Sequence, residues 1–156
     1  MKLTWFLLYD LILSLWVGGI AIFTFIVTPS IFKSFGRDEA GAIVGKLFPG
    51  YFSYVLVLSV LAFIVFFAVS GGTSDSTSRL SFFLLIAALV INIYVSLKLY
   101  PDAVKLKREI TSFERESPDS PARKRFTRLH AVSAVLNLAV LADGVILLLL
   151  GPALKK

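Results

Sequence analysis

Four stretches nearly free of charge divide this chain and leave it few ways to fold. Residues 3–32 contain one charged side chain, Asp10; residues 47–74 and 80–97 contain none; residues 129–154 contain Asp143 and the chain's single histidine, His130. A helix needs about 20 mostly apolar residues to cross the hydrocarbon core of a bilayer, and each stretch supplies that or nearly so. The expected fold is an all-α integral membrane protein, a four-transmembrane-helix bundle with short cytoplasmic interfacial helices. It forms a single membrane domain over residues 1–156, with spans at about 3–28, 49–70, 79–99 and 127–151. Composition agrees, with 57% hydrophobic and 17% charged residues against roughly 25% charged in soluble domains. The first stretch exceeds the ~7–15 apolar residues of a secretory signal and lacks a small-residue cleavage site after it, so it reads as a retained span.

The formal charge of +6 follows the membrane and is no sign of nucleic-acid binding. Lys2, Arg79, Lys155 and Lys156 fall on one side of a four-span topology. The other twelve Lys and Arg fall on the opposite side, among them Lys33, Arg37, Lys46, Lys105, Lys107, Arg108, Arg123 and Arg128. Basic residues in short loops mark the cytoplasmic face. Loops 29–48 and 100–126 are therefore expected in the cytoplasm and both termini outside, in the cytoplasmic (inner) membrane of a bacterium.

Between the spans, Pro29 is expected to end the first, because proline removes a helical hydrogen bond. Asp38 and Glu39 suit the start of a short helix whose Ala40, Ile43, Val44, Leu47 and Phe48 share one side. Pro49 then fits the first turn of span two, where its missing N–H is no loss. Ser78 is expected to cap span three. Past Pro101, Leu106, Ile110 and Phe113 recur at helical spacing among charges, predicting an amphipathic interfacial helix, and "SPDSPARKR" reads as a mobile turn. Each half thus presents a span, a proline, a basic segment and a returning span, a pattern found in parallel repeats of some transporters.

Polar residues inside spans normally turn inward, because lipid-facing placement is costly. At 3.6 residues per turn, Asp10, Ser14, Thr24 and Thr28 form one stripe, with Gly18 at its edge. Ser81, Ala88, Asn92 and Ser96 form another, and His130, Ser133 and Asn137 a third. The candidate intramembrane polar site is Asp10, Ser14, Thr24, Asn92, His130, Ser133, Asn137 and Asp143. At ~1.5 Å per residue, Asp10 and Asp143 match in depth near the outer side, Asn92 and Asn137 near mid-membrane, and His130 sits at the cytoplasmic rim. The alternative reading is that these groups only hydrogen-bond helix to helix. No catalytic constellation, zinc motif or nucleotide loop is present, so no enzymatic activity is expected. The absence of cysteine removes disulfides and thiolate metal sites.

The segments "LWVGGIAIFTFIVTPSIF", "AGAIVGKLFPGYF" and "RLHAVSAVLNLAVL" resemble the transmembrane-protein-205-like family, the domain of unknown function numbered 4149. The motif positions are Trp16, Gly18, Pro29, Leu47, Phe48, Pro49, Tyr51, Phe52, His130, Ser133 and Asn137. The resemblance implies a four-helix membrane protein of bacteria and eukaryotes whose eukaryotic members are associated with resistance to platinum drugs. "LFPGYF" is expected to dock against the start of span four near His130.

Three functions are open from sequence. The first is binding or transport of a small compound or ion, by one chain or by a homo-oligomer. The second is an accessory role beside a partner in a larger membrane complex. In the third, His130 ligates haem as a cofactor; otherwise no cofactor or metal is expected.

Overall fold

The computed structural model describes residues 2–72 and 75–154. Met1, Thr73, Ser74, Lys155 and Lys156 lie outside the described residues, and with them part of the expected outer loop and the C-terminal lysines. Every regular element described is helical: α1 (Lys2–Ile22), a π-helical turn (Phe23–Val27), α2 (Thr28–Ser34), α3 (Arg37–Ser70), α4 (Ser76–Tyr94), a second π-helical turn (Val95–Leu99), α5 (Tyr100–Glu109) and α6 (Pro121–Leu154). These join into four helices long and apolar enough to cross a bilayer: Leu3–Ser34, Arg37–Ser70, Ser76–Glu109 and Pro121–Leu154.

The prolines do not break the first and third helices as expected. Proline has no N–H and its ring crowds the carbonyl four residues back. Each helix answers by widening one turn. The Thr28 N–H reaches back to the Phe23 carbonyl and the Tyr100 N–H to the Val95 carbonyl, and the helix continues through Pro29 or Pro101. Likewise the segment expected as a separate short helix before Pro49 runs unbroken into α3, with Pro49 inside it. The interfacial helices are thus extensions of the spans. A helix of 34 residues is about 50 Å long, far more than the ~30 Å hydrocarbon core, and the excess carries most of the basic residues.

α1 packs on α3 and α6, and α4 packs on the same two, so the four helices close a ring. The two halves repeat one plan. Counted back from Pro29, α1 buries Phe6, Tyr9, Leu13, Trp16 and Ile20; counted back from Pro101 at the same distances, α4 buries Ser78, Ser81, Leu85, Ala88 and Asn92. The internal symmetry visible in the sequence is therefore carried by turn type and by burial. Along α1 and α6 a seven-residue register holds. Asp10 lies beside Gly151 and Val17 beside Gly144, and Thr24 bonds Asn137. Small residues at such seams let backbones approach.

The cap of α4 is Asp75, whose carboxylate accepts the Ser78 N–H at 3.2 Å. Ser78, expected as the cap, lies one turn inside and is buried. The hydrogen bonds from Ser78 hold the Asp75 carboxyl below its usual range.

Candidate functional site

Pro49 leaves the Gly45 carbonyl without its helical donor, since an N–H at position 49 would have served it. The Tyr100 hydroxyl donates to that carbonyl at 3.4 Å, which draws α5 onto α3. The Tyr100 ring also meets Phe48 and Phe52 edge-on, at centroid distances of 6.1 and 5.4 Å. One turn further out, the Lys107 ammonium donates to the Gly41 carbonyl at 2.5 Å. Gly41 and Gly45 present bare backbone there. A Cβ on either would stand 3.5 Å from Lys107 Nζ.

Tyr100→Phe is therefore expected to cost about 1 kcal/mol, the net worth of one hydrogen bond. In a Pro49→Ala background, where the alanine N–H returns to Gly45, the same change should cost much less. Unfolding titrations of the four proteins in detergent check this.

These contacts hold open a cavity of about 420 Å³ where the basic ends of the helices converge. α2 contributes Thr28 and Phe32; α3 contributes Arg37, Gly41, Val44, Gly45, Phe48 and Phe52. Leu99, Tyr100, Ala103, Val104 and Lys107 line the α5 side, and Phe126, Leu129, His130 and Ser133 line the α6 side. The volume falls within the ~300–1,000 Å³ typical of small-molecule sites, which are mostly apolar with a few placed polar groups.

The connection between α5 and α6 closes over this region. Asp38 accepts from the Ser112 hydroxyl at 2.5 Å and the Phe113 N–H at 2.6 Å. Arg123 donates to the Glu116 carbonyl and stands 5.6 Å from the Phe113 ring centre. The segment expected to be a mobile turn, 117–125, is tied back to the residues before it by Arg123. Phe113 packs edge-on against Phe126, 5.0 Å between centroids, and Phe126 stacks on His130 at 6.2 Å with the rings 4° from parallel.

Below the cavity lies a polar bridge. The Tyr51 hydroxyl donates to Asn137 Oδ1 at 2.5 Å, and Asn137 Nδ2 donates to the Thr24 hydroxyl at 2.9 Å. Three helices meet there, with Phe23 stacked on Tyr51 at 4.1 Å. A second bridge runs from Asn92 Nδ2 to the Ser59 hydroxyl, 3.3 Å, which in turn donates to the Leu56 carbonyl.

The expected site residues thus fall into separate groups. His130 and Ser133 line the cavity, with His130 itself exposed. Thr24 and Asn137 form the first bridge and Asn92 the second. Ser14 is exposed, on the side of α1 away from Tyr9, Leu13 and Trp16; the buried face of α1 lies about one residue round from the polar stripe. Asp10 and Asp143, matched in depth by the sequence, do not meet each other. The register sets Asp10 beside Gly151, two turns beyond Asp143, because α6 extends to Leu154.

"LFPGYF" does dock on α6. Phe48 and Phe52 share the cavity with His130, and Tyr51 reaches Asn137. Of the remaining motif positions, Trp16 is fully buried, and a Cβ on Gly18 would meet nothing within 4 Å. Lys107 was missed as a site residue. The signal was present in the bare Gly41 and Gly45 four residues apart, a groove wide enough for a long side chain.

Fold and site together define an all-helical, multi-pass membrane protein with a ligand-sized cavity at its basic end. The family described as Domain of unknown function (DUF4149) matches residues 11–112, more than half of the chain, and the chain belongs to that family. An uncharacterized protein of Aquifex aeolicus (strain VF5) is 43% identical over 47 residues, covering 30% of this chain and 36% of its own. The match thus spans about a third of that relative's length. No solved structure matches the chain significantly.

Proposed function

We propose that this protein binds a small, largely apolar compound in the cavity at the basic end of the bundle. That end would face the cytoplasm in a bacterial inner membrane, as the excess of basic residues there suggests. The observation that carries the reading is the cavity itself. It has an apolar floor of Phe48, Phe52, Leu99 and Val104, and polar groups (His130, Ser133, Lys107) at chosen points. The finer assignment to transmembrane-protein-205-like proteins is part of the same proposal. It rests on "LWVGGIAIFTFIVTPSIF", "AGAIVGKLFPGYF" and "RLHAVSAVLNLAVL" together, the last of which lies beyond the residues matched by the family description.

A photoactivatable alkyl diazirine, equilibrated with the protein in nanodiscs and illuminated, tests the reading. Labelling is expected to concentrate on the α5 segment 99–107 and the α6 segment 126–133, and to fall severalfold when Val104→Trp fills the cavity. Label spread only over the lipid-facing residues, unchanged by that substitution, would overturn it.

A second reading, passage of a solute through the bundle, has one specific support. The Tyr9 hydroxyl, the Trp16 indole N–H and the Ser81 hydroxyl are buried with no hydrogen-bond partner among the described residues, and such groups usually meet water or a ligand. Solute flux into proteoliposomes, compared with empty vesicles, tests that reading.

A further inference from the structure

Two walls of the cavity, α3 and α5, are graded along its depth. On α3 its lining runs from Arg37 at the mouth past Gly41 and Gly45 to Phe48 and Phe52, a distance of about 22 Å at 1.5 Å per residue. On α5 it runs from Lys107 to Val104 and Leu99. These two helices thus change from cation to hydrocarbon in the same direction, while α2 and α6 place Phe32 and Phe126 outermost and Thr28, His130 and Ser133 deeper. No carboxylate lines the cavity, and neither Arg37 nor Lys107 forms an ion pair among the described residues. Lys107 uses one donor on the Gly41 carbonyl; an ammonium has three, so two remain. Asp38 acts on Lys107 at longer range; its oxygens accept from Ser112 and Phe113, and it does not line the cavity.

We propose that the occupant is a single-chain anionic amphiphile: an acid group held at Lys107 and Arg37, with an unbranched hydrocarbon chain lying among Phe48, Phe52 and Val104. Charge sets the head. A cavity bearing cations and no carboxylate favours an anion, and hydrogen bonds to charged groups are roughly twice as strong as neutral ones. Volume sets the tail. A cavity of about 420 Å³ holds on the order of a dozen groups the size of a water, at ~30 Å³ each. That suits one chain of medium length. The inference rests on the binding proposed above and adds the chemical class of the ligand.

The test uses the full chain in nanodiscs of neutral lipid and equilibrium binding of three probes with the same chain: dodecanoate, dodecyl phosphate and dodecanol. Tighter binding of either acid than of dodecanol, by about tenfold or more and weakened by salt, is the expected result. Whichever acid binds more tightly identifies the head group as carboxylate or phosphate. In Arg37→Gln/Lys107→Gln the ratio of acid to dodecanol affinity should fall to about one. If that variant does not fold, Lys107→Met, which keeps the apolar stem, should lower the ratio severalfold by itself.

Equal binding of dodecanol and both acids, unaltered by these substitutions, would overturn the anionic head and leave the cavity reading intact. If no probe binds while the alkyl diazirine still labels α5 and α6, the single-chain occupant is wrong. Loss of both signals overturns the cavity reading as well.

Discussion

Leucine at Gly144 is expected to destabilise the bundle by about 2 kcal/mol, whereas leucine at Gly18 should leave it unchanged or stabilise it by up to about 0.9 kcal/mol. Both glycines lie in spans and both belong to sequence patterns rich in small residues, so sequence alone ranks them together. Gly144 is buried, and a Cβ there would stand 2.7 Å from Val17 Cγ2. Valine is short and stiff at χ1, so α1 and α6 must move apart to relieve the clash. Around Gly18 nothing lies within 4 Å of the Cβ position.

The better helix propensity of leucine returns at most ~0.9 kcal/mol at either site, leaving the clash dominant at Gly144. Val17→Ala should recover part of the loss, since it removes the opposing methyl groups. Reversible unfolding in mixed micelles measures all four proteins. Equal behaviour of the two leucine variants would show that the α1–α6 seam is not packed as described.

Asn137→Ala is expected to cost about 1.5 kcal/mol and to do so through two helices at once. It removes the acceptor of the Tyr51 hydroxyl and the donor to Thr24, stranding a hydroxyl on the buried Tyr51. Hydrogen bonds between membrane helices average ~0.6 kcal/mol, and an orphaned buried group adds its own penalty. Tyr51→Phe removes one bond and the hydroxyl together, so it should cost less than half as much. Added to Asn137→Ala it should cost almost nothing further, because the stranded group is gone. The double-mutant cycle reads the coupling directly. Additive losses would mean that Tyr51 and Asn137 do not act as a pair.

The residues of that bridge show how far sequence could reach. Asn137 and Thr24 were legible as inward-facing polar groups, and Tyr51 as part of a motif near the start of span two. Their meeting was not, because it depends on the register between α1 and α6 and on the π-helical turn that carries Thr24. Ser14 marks the opposite error. In lipid, polarity is no sure guide to the inward face, since helices associate by shape and dispersion. On α1 the bulky Tyr9, Leu13, Trp16 and Ile20 fill the interior, and a serine hydroxyl can turn to its own helix.

Pro49 shows a third limit. Its place at a helix start was reasonable from composition, but the carbonyl it frees is satisfied by Tyr100, a residue 55 positions from Gly45. Local rules cannot supply a donor from another helix.

The sequence by itself determined that this chain is a four-span helical membrane protein, and it made the internal repetition visible. Those properties follow from the length of apolar runs and from the placement of prolines, which act within one segment. Only the tertiary structure decided that Pro29 and Pro101 are carried through π-helical turns, that Asp10 meets Gly151 rather than Asp143, and that His130 and Lys107 share a cavity with Phe48 and Phe52. Each of these depends on the register and close approach of helices distant in sequence. That register is set by which small residues admit which side chains, a property of pairs of helices that no single segment encodes.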